Sequence, residues 1–302
     1  MESEWSPEAE QARFSELWQS RRHSGLRHTV VDWNERADNW DKELRESEER
    51  KARSDRRVNE TAAYLRTRGL LQRTDEVIDI GCGPGRFAAE FAKTAGHVTG
   101  VDLSPHMAQY GAAYAAENGL ENVSFLSCDF KTADIEKMGW KQRFDLVFAS
   151  ITPAMSDLAD LDKAEAISRA FCFSSTFVRA RDTAAQAALS AALPGAVRPI
   201  LWDGRSFYAM FNLLWLRGRY PQVSYYKESD EDKMPAGKEL ALRVVERLPT
   251  EAATDAVIEK VYRYFMERAD VDGMVEYPME RWYGWLLWDV RDRDERDYAY
   301  RT

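Results

Sequence analysis

The run Val77-Ile78-Asp79-Ile80-Gly81-Cys82-Gly83-Pro84-Gly85-Arg86-Phe87 constrains the chain more than any other stretch. Val77, Ile78 and Ile80 are β-branched and apolar, as a strand covered on both faces requires. Glycines at 81, 83 and 85 then allow a sharp turn and leave room for a ligand that a Cβ would exclude. Phe87, Ala88 and Phe91 restore helical spacing, so a helix opens with its free N–H groups aimed at the gap. A tight turn with no ligand is the plainer alternative.

The dinucleotide fingerprint places an acid about 20 residues after G-x-G-x-x-G. Here the third glycine comes one residue early, Arg86 stands where that fingerprint wants glycine, and Asp79 precedes the first glycine by two. This D-x-G-x-G-x-G form resembles the first motif of the class I S-adenosylmethionine (SAM)-dependent methyltransferases. A carboxylate at Asp79 suits a ligand carrying an amino group, whereas it would repel a pyrophosphate.

Further runs carry the same resemblance. Val98-Thr99-Gly100-Val101-Asp102 reads as a second strand with an acid at its carboxyl end, where ligands bind in open parallel sheets. Leu103-Ser104-Pro105-His106-Met107 follows, with Ser104 as helix N-cap and Pro105 at the first helical position. Strand patterns at 123–128 and 144–150 lead into Asp129-Phe130 and Ile151-Thr152-Pro153. The resemblance implies a SAM site, with S-adenosylhomocysteine as product. It implies that Asp79, Gly81, Gly83 and Gly85 cradle the amino-acid end, and that Asp102 and Leu103 hold the ribose. Met107, Asp129 and Phe130 would then meet the adenine, with Ser150 bordering the methyl. Residues 32–41 are similar to an N-terminal lid segment of small-molecule methyltransferases, with Trp40 where tyrosine is usual. The spacing of Trp33, Ala37 and Trp40 equally serves to dock a helix on the core, and the two readings are compatible. The residues after 150 do not match the N-P-P-Y type of motif.

Composition bounds the partners. Lys plus Arg total 42 against 51 Asp plus Glu, a net charge of −9, the wrong average field for gripping a phosphate backbone. No nucleic-acid partner is therefore expected, and the acceptor is expected to be a small organic molecule. The longest apolar run, residues 207–216, is too short for a bilayer and contains Asn212, so no membrane partner is expected. Cys82, Cys128 and Cys172 lack metal-ligand spacing and read as buried thiols in a reducing compartment. With no signal-peptide profile at the N-terminus, a cytoplasmic protein is expected. No metal is expected, and the sequence does not set the oligomeric state.

The expected fold is α/β: a seven-stranded, mostly parallel, doubly wound sheet with an N-terminal helical lid and a C-terminal helical insertion. The lid takes residues 1–57 and the SAM-binding domain 58–302, with the insertion at about 228–276. Residues 44–57 read as a solvated helix or a connection, 223–226 and 282–288 as the last two strands, and 291–301 as a mixed-charge tail. The function this implies is methyl transfer to a small acceptor by in-line displacement. Two alternatives stand beside it: a non-catalytic SAM-binding regulatory or assembly protein, and an NAD-dependent oxidoreductase. No residue is assigned as catalytic. Of the histidines, His23 and His28 fall in the lid, His106 beside the cofactor and His97 after a helix.

Overall fold

The computed structural model describes residues 6–20, 29–195, 204–230, 233–246, 248 and 250–291, with backbone alone at 41–46, 230 and 250. His23, His28 and the tail beyond Arg291 lie outside the described residues. Three helices come first: α1 (Pro7–Gln19), α2 (Val30–Glu46) and α3 (Glu48–Arg66). Alternating strands and helices follow: β1 (Glu76–Ile80), α4 (Arg86–Ala92), β2 (His97–Asp102), α5 (Pro105–Glu117), β3 (Val123–Ser127), β4 (Phe144–Ser150), α6 (Leu158–Ile167) and β5 (Ser168–Asp182). The remainder comprises α7 (Thr183–Ala192), α8 (Arg205–Leu216), β6 (Gln222–Asp230), β7 (Lys233–Pro235), α9 (Lys238–Val245), α10 (Asp255–Met266), β8 (Met274–Glu276) and β9 (Met279–Asp289).

Seven strands form one sheet in the order β3-β2-β1-β4-β5-β9-β6. The pairings of β1 with β2 and β4, of β2 with β3 and of β4 with β5 are all parallel. β1 therefore lies between a strand that runs outward on one side and one that runs outward on the other. That reversal opens a crevice at the carboxyl ends of the strands. Register aligns those ends, with Ile80 opposite Val101 and Ala149, Asp102 opposite Ser127, and Ser150 opposite Ser175.

The chain divides into two compact units. Unit 1 takes Met1–Thr176, Arg205–Ser224 and Trp285–Thr302, and unit 2 takes Phe177–Gly204 and Tyr225–Gly284. In unit 1, Val77, Ile78 and Ile80 are fully buried, as both-face coverage demands. Phe148 on β4 stacks on Phe173 of β5 at 5.0 Å and meets Phe91 of α4 edge-on at 4.8 Å. Rings of this size, fully buried, each contribute about 1.5–3 kcal/mol.

The polar stretch before residue 58 is the first half of α3. Ser47 caps it by accepting from the Arg50 amide, and Glu48 and Glu49 occupy its first turn, where the helix dipole favours acids. Asp55 pairs with Arg86, whose guanidinium also lies 4.8 Å over the Tyr114 ring. So the residue that departs from the dinucleotide fingerprint ties α3 to α4 and α5.

Unit 2 has its own core, with Ala188 and Leu189 of α7 against Val244 of α9 and Val261 and Phe265 of α10. Asp182 caps α7 by accepting from the Ala185 amide at 2.8 Å, and its other oxygen accepts from the Tyr277 hydroxyl at 2.7 Å. The helical insertion also holds a two-stranded antiparallel ribbon, β7 with β8, in which Met234 faces Val275. Strands of three residues are too short to show an alternating pattern, so the sequence shows only the helices of this insertion.

Candidate functional site

The glycine turn is shaped by what packs on it. Gly81, Gly83 and Gly85 all have φ between +53° and +73°, a region strained for any residue with a side chain. The Gly81 and Cys82 amides both donate to the Val101 carbonyl, at 2.7 and 3.0 Å, which pins the turn to β2. A Cβ at Gly81 would overlap the Thr152 side chain, and one at Gly85 would lie 2.5 Å from the Phe125 ring. Gly83 is different. A Cβ there would meet nothing closer than Trp40 at 3.8 Å and the Met107 sulfur at 4.0 Å. The turn thus presents its middle glycine to an open cradle bordered by an α2 tryptophan and an α5 methionine.

Two acids stand at this edge. Asp102 accepts from the Gly83 amide through Oδ2 and from the Ser104 amide through Oδ1, each at 2.9 Å. Burial raises its carboxyl above the ordinary value, and the Ser104, Gly83 and Leu103 amides partly offset the rise. Asp79 is almost wholly buried, and its Oδ2 has no hydrogen-bond partner. Burial, reinforced by the Asp102 charge, pushes its carboxyl up to about 8, while the Ala88 amide pulls the other way. A buried carboxylate with an orphan oxygen is costly unless it is neutral or meets a cation. An ammonium-bearing ligand would supply one, so the residues present fit the amino-acid end of SAM.

The helix α2 closes over this edge through polar contacts that the sequence did not reveal. Ser104, fully buried, caps α5 by accepting from the Met107 amide at 3.2 Å and donates to Asn34 at 2.6 Å. Asp38 accepts from the Tyr110 hydroxyl at 2.7 Å, and the His106 ring nitrogen lies 3.1 Å away. Those hydrogen bonds, Tyr110 first and then His106, hold the Asp38 carboxyl below its ordinary value. Trp40, two residues further along, remains 41% exposed. Asn34 and Asp38 lie four apart and so share one helical face.

Asp129 follows β3 and accepts from the Lys131 amide at 3.0 Å through Oδ1, holding a turn. Phe130 is buried, with the Lys163 ammonium 5.6 Å from its ring centroid. Met107 is buried beneath the Gly83 cradle, and Leu103 is half-buried beside Asp102. Ser150, also half-buried, ends β4, and Ile151 then adopts φ +52° with its amide donating to the Ser175 carbonyl at 2.8 Å. A β-branched residue in the left-handed region is strained, and such strain concentrates at functional sites. It delivers Thr152 onto Gly81.

All the residues expected to touch the cofactor therefore lie in unit 1, on α2 or at the carboxyl edge of β1–β4 and in the segments that follow. The tryptophans divide differently: Trp18, Trp140, Trp285 and Trp288 are buried packing residues. His97 sits 3.1 Å from the Ser124 hydroxyl.

Comparison with known proteins adds identity to this geometry. Residues 71–190 match a family model described as a methyltransferase domain. The 23S rRNA (uracil(1939)-C(5))-methyltransferase RlmD of Marinomonas posidonica is 45% identical over 58 residues, covering 19% of this chain and 13% of the relative. The RlmD of Klebsiella pneumoniae is 40% identical over 78 residues, covering 26% of this chain and 18% of the relative. The chain thus spans less than a fifth of the length of these curated relatives. Among solved structures, the magnesium protoporphyrin IX methyltransferase of Synechocystis PCC 6803 with bound SAM matches at TM-score 0.42. It shows 13% identity, with 95% of this chain and 99% of that one covered.

The names of the curated relatives overturn one expectation. Net charge excluded nucleic acid, yet proteins similar to short stretches of this chain are named as methyltransferases of rRNA. An average over 302 residues says nothing about a local patch, and that exclusion is withdrawn. The matched stretch gives this chain a methyltransferase domain at residues 71–190, which holds the D-x-G-x-G-x-G turn and the parallel strands β1 to β5.

Proposed function

We propose that unit 1 binds SAM across the carboxyl ends of β1, β2 and β3 and passes its methyl group by in-line displacement to a small organic acceptor beyond β4. The carrying observation is the pair of acids. Asp79 is buried with an orphan oxygen, matching an ammonium, and Asp102 is held by the amides of Gly83 and Ser104 in reach of a ribose. Bound SAM supplies an electrophilic methyl on a sulfonium. The protein's part is then alignment and exclusion of water. Trp40 and Met107 flank the Gly83 cradle, Asp129 retains an oxygen for the adenine amine, and Ser150, Ile151 and Thr152 border the reacting edge. In this reading residues 1–57 act as the lid, anchored by Asn34 and Asp38. No general base is assigned. Among the described residues no helix is long and apolar enough to cross a membrane. The three thiols, none of them in a disulfide, support a cytoplasmic setting.

A second reading, RNA as acceptor, is supported by the names of the curated relatives. Incubation with methyl-labelled SAM and separate panels of small aromatic or heteroatom acceptors and of RNA tests both. Label in small acceptors supports the first reading, and label in RNA alone replaces it with the second. No turnover with either, alongside tight SAM binding, favours the non-catalytic alternative. Binding of NAD in place of SAM would overturn the reading altogether.

A further inference from the structure

Unit 2 carries a cationic, aromatic sheet face that the methyl-transfer site does not use. Trp282 lies on β9, the strand that stands between β5 and β6 in the sheet order. Three cations gather over its indole: Arg179 of β5 at 5.1 Å from the ring centroid, Arg181 of β5 at 6.0 Å and Lys227 of β6 at 5.1 Å. Arg179 and Arg181 are two apart, as same-face strand residues must be. Glu280, two before Trp282, pairs with Lys227 and lies 3.4 Å from Arg181. Among the described residues, Glu280 is the carboxylate seen to pair within this group of three cations. The side chains of Arg181 and Lys227 are about half exposed, and Tyr225, two before Lys227, is 61% exposed.

Such a concentration of positive charge runs against the chain's −9 balance. Buried Glu228, next to Lys227, is instead in contact with Arg281 and Tyr283. Guanidinium groups meet phosphates bidentately, and an indole, a phenol and the guanidinium planes themselves accept stacked bases. Cations with aromatics on an open strand face suit a single strand, whose bases are free to stack, better than a duplex.

We propose that the Arg179–Arg181–Lys227–Trp282 face of unit 2 binds single-stranded RNA. The proposal deepens the second acceptor reading given above, and its readout is binding without turnover, so its failure leaves the SAM site standing. The test is fluorescence anisotropy of a labelled 12-nucleotide oligouridylate with the full-length protein, at 50 and 200 mM salt, with SAM affinity measured in parallel. Binding is expected at 50 mM salt and to weaken steeply at 200 mM. Arg179→Gln/Arg181→Gln should weaken it at least tenfold and lower the slope of log K against log salt by about 0.7 per lost phosphate contact. Trp282→Ala should weaken binding, Trp282→Phe should largely retain it, and all variants should keep wild-type SAM affinity, which shows that they fold. Absence of RNA binding at 50 mM salt, or equal affinity and salt slope in the arginine variant, overturns the proposal. Equally tight capture of poly-glutamate through the same residues overturns it in favour of an acidic protein partner.

Discussion

Thr152 occupies the space that a side chain at Gly81 would need. The loop after β4 and the turn after β1 are thereby interlocked, with strained Ile151 steering one onto the other. Gly81→Ala should cost about 1–3 kcal/mol of SAM affinity, through the clash and through φ +68°. Removing the obstacle with Thr152→Gly should recover part of the loss, since contacting residues do not act additively. Titrations of both single variants and the double variant measure the coupling, and strict additivity would contradict the interlock.

Asp79 sets a pH dependence. Burial and the Asp102 charge push its carboxyl up to about 8, whereas in the unfolded chain it titrates near 4. Between those values the folded protein keeps a proton that the unfolded protein has released, so stability falls as pH rises through that window. An ammonium ligand favours the ionised form, so SAM binding should expel a proton and tighten by up to about tenfold per pH unit below 8. Calorimetry in buffers of different ionisation enthalpy reads the proton directly. Asp79→Asn should abolish its release, weaken SAM binding and flatten the decline in stability.

Asp102 supports the turn as well as the ligand. Its loss frees the Gly83 and Ser104 amides, so Asp102→Ala should abolish measurable SAM binding while far-UV circular dichroism stays native. Gly83→Val fills the cradle and should do the same. Asp129→Ala removes one partner of a hydrogen bond and should cost about 1–3 kcal/mol of affinity. Normal affinity in all three would misplace the site.

Trp40 borders the cradle but remains partly exposed, so Trp40→Ala should weaken SAM binding moderately and leave the fold intact. Asn34→Ala removes the acceptor of the buried Ser104 hydroxyl and should speed amide exchange across α2 by loosening its anchorage. Unchanged exchange would show that the anchorage lies elsewhere.

How much of this was legible follows from the range of the interactions. The β1 turn reads clearly because β-branched strand, glycines and helix opening are all local, and the Ser104 cap is local too. The nearness of the acids at 79 and 102, two residues apart in register, follows once the strands are parallel. The run 44–57 reads as a solvated helix and most of it forms the exposed to half-buried start of α3, but the pairing of Asp55 with Arg86 is announced by no local pattern. The partners of Asn34 and Asp38, Ser104 at the N-cap of α5 and Tyr110 on it, are equally distant in sequence. The β7–β8 ribbon pairs Pro235 with Met274 across two helices, beyond any periodicity. Net charge is no guide to a local patch, because it averages the cations around Trp282 with acids elsewhere.

The most direct test is isothermal calorimetry of the purified protein with SAM, S-adenosylhomocysteine and NAD. The site described here predicts saturable one-to-one binding of the first two at micromolar concentrations, none of NAD, and loss of both in Asp102→Ala. Failure of the wild-type protein to bind either sulfur nucleoside would contradict the assignment at its root.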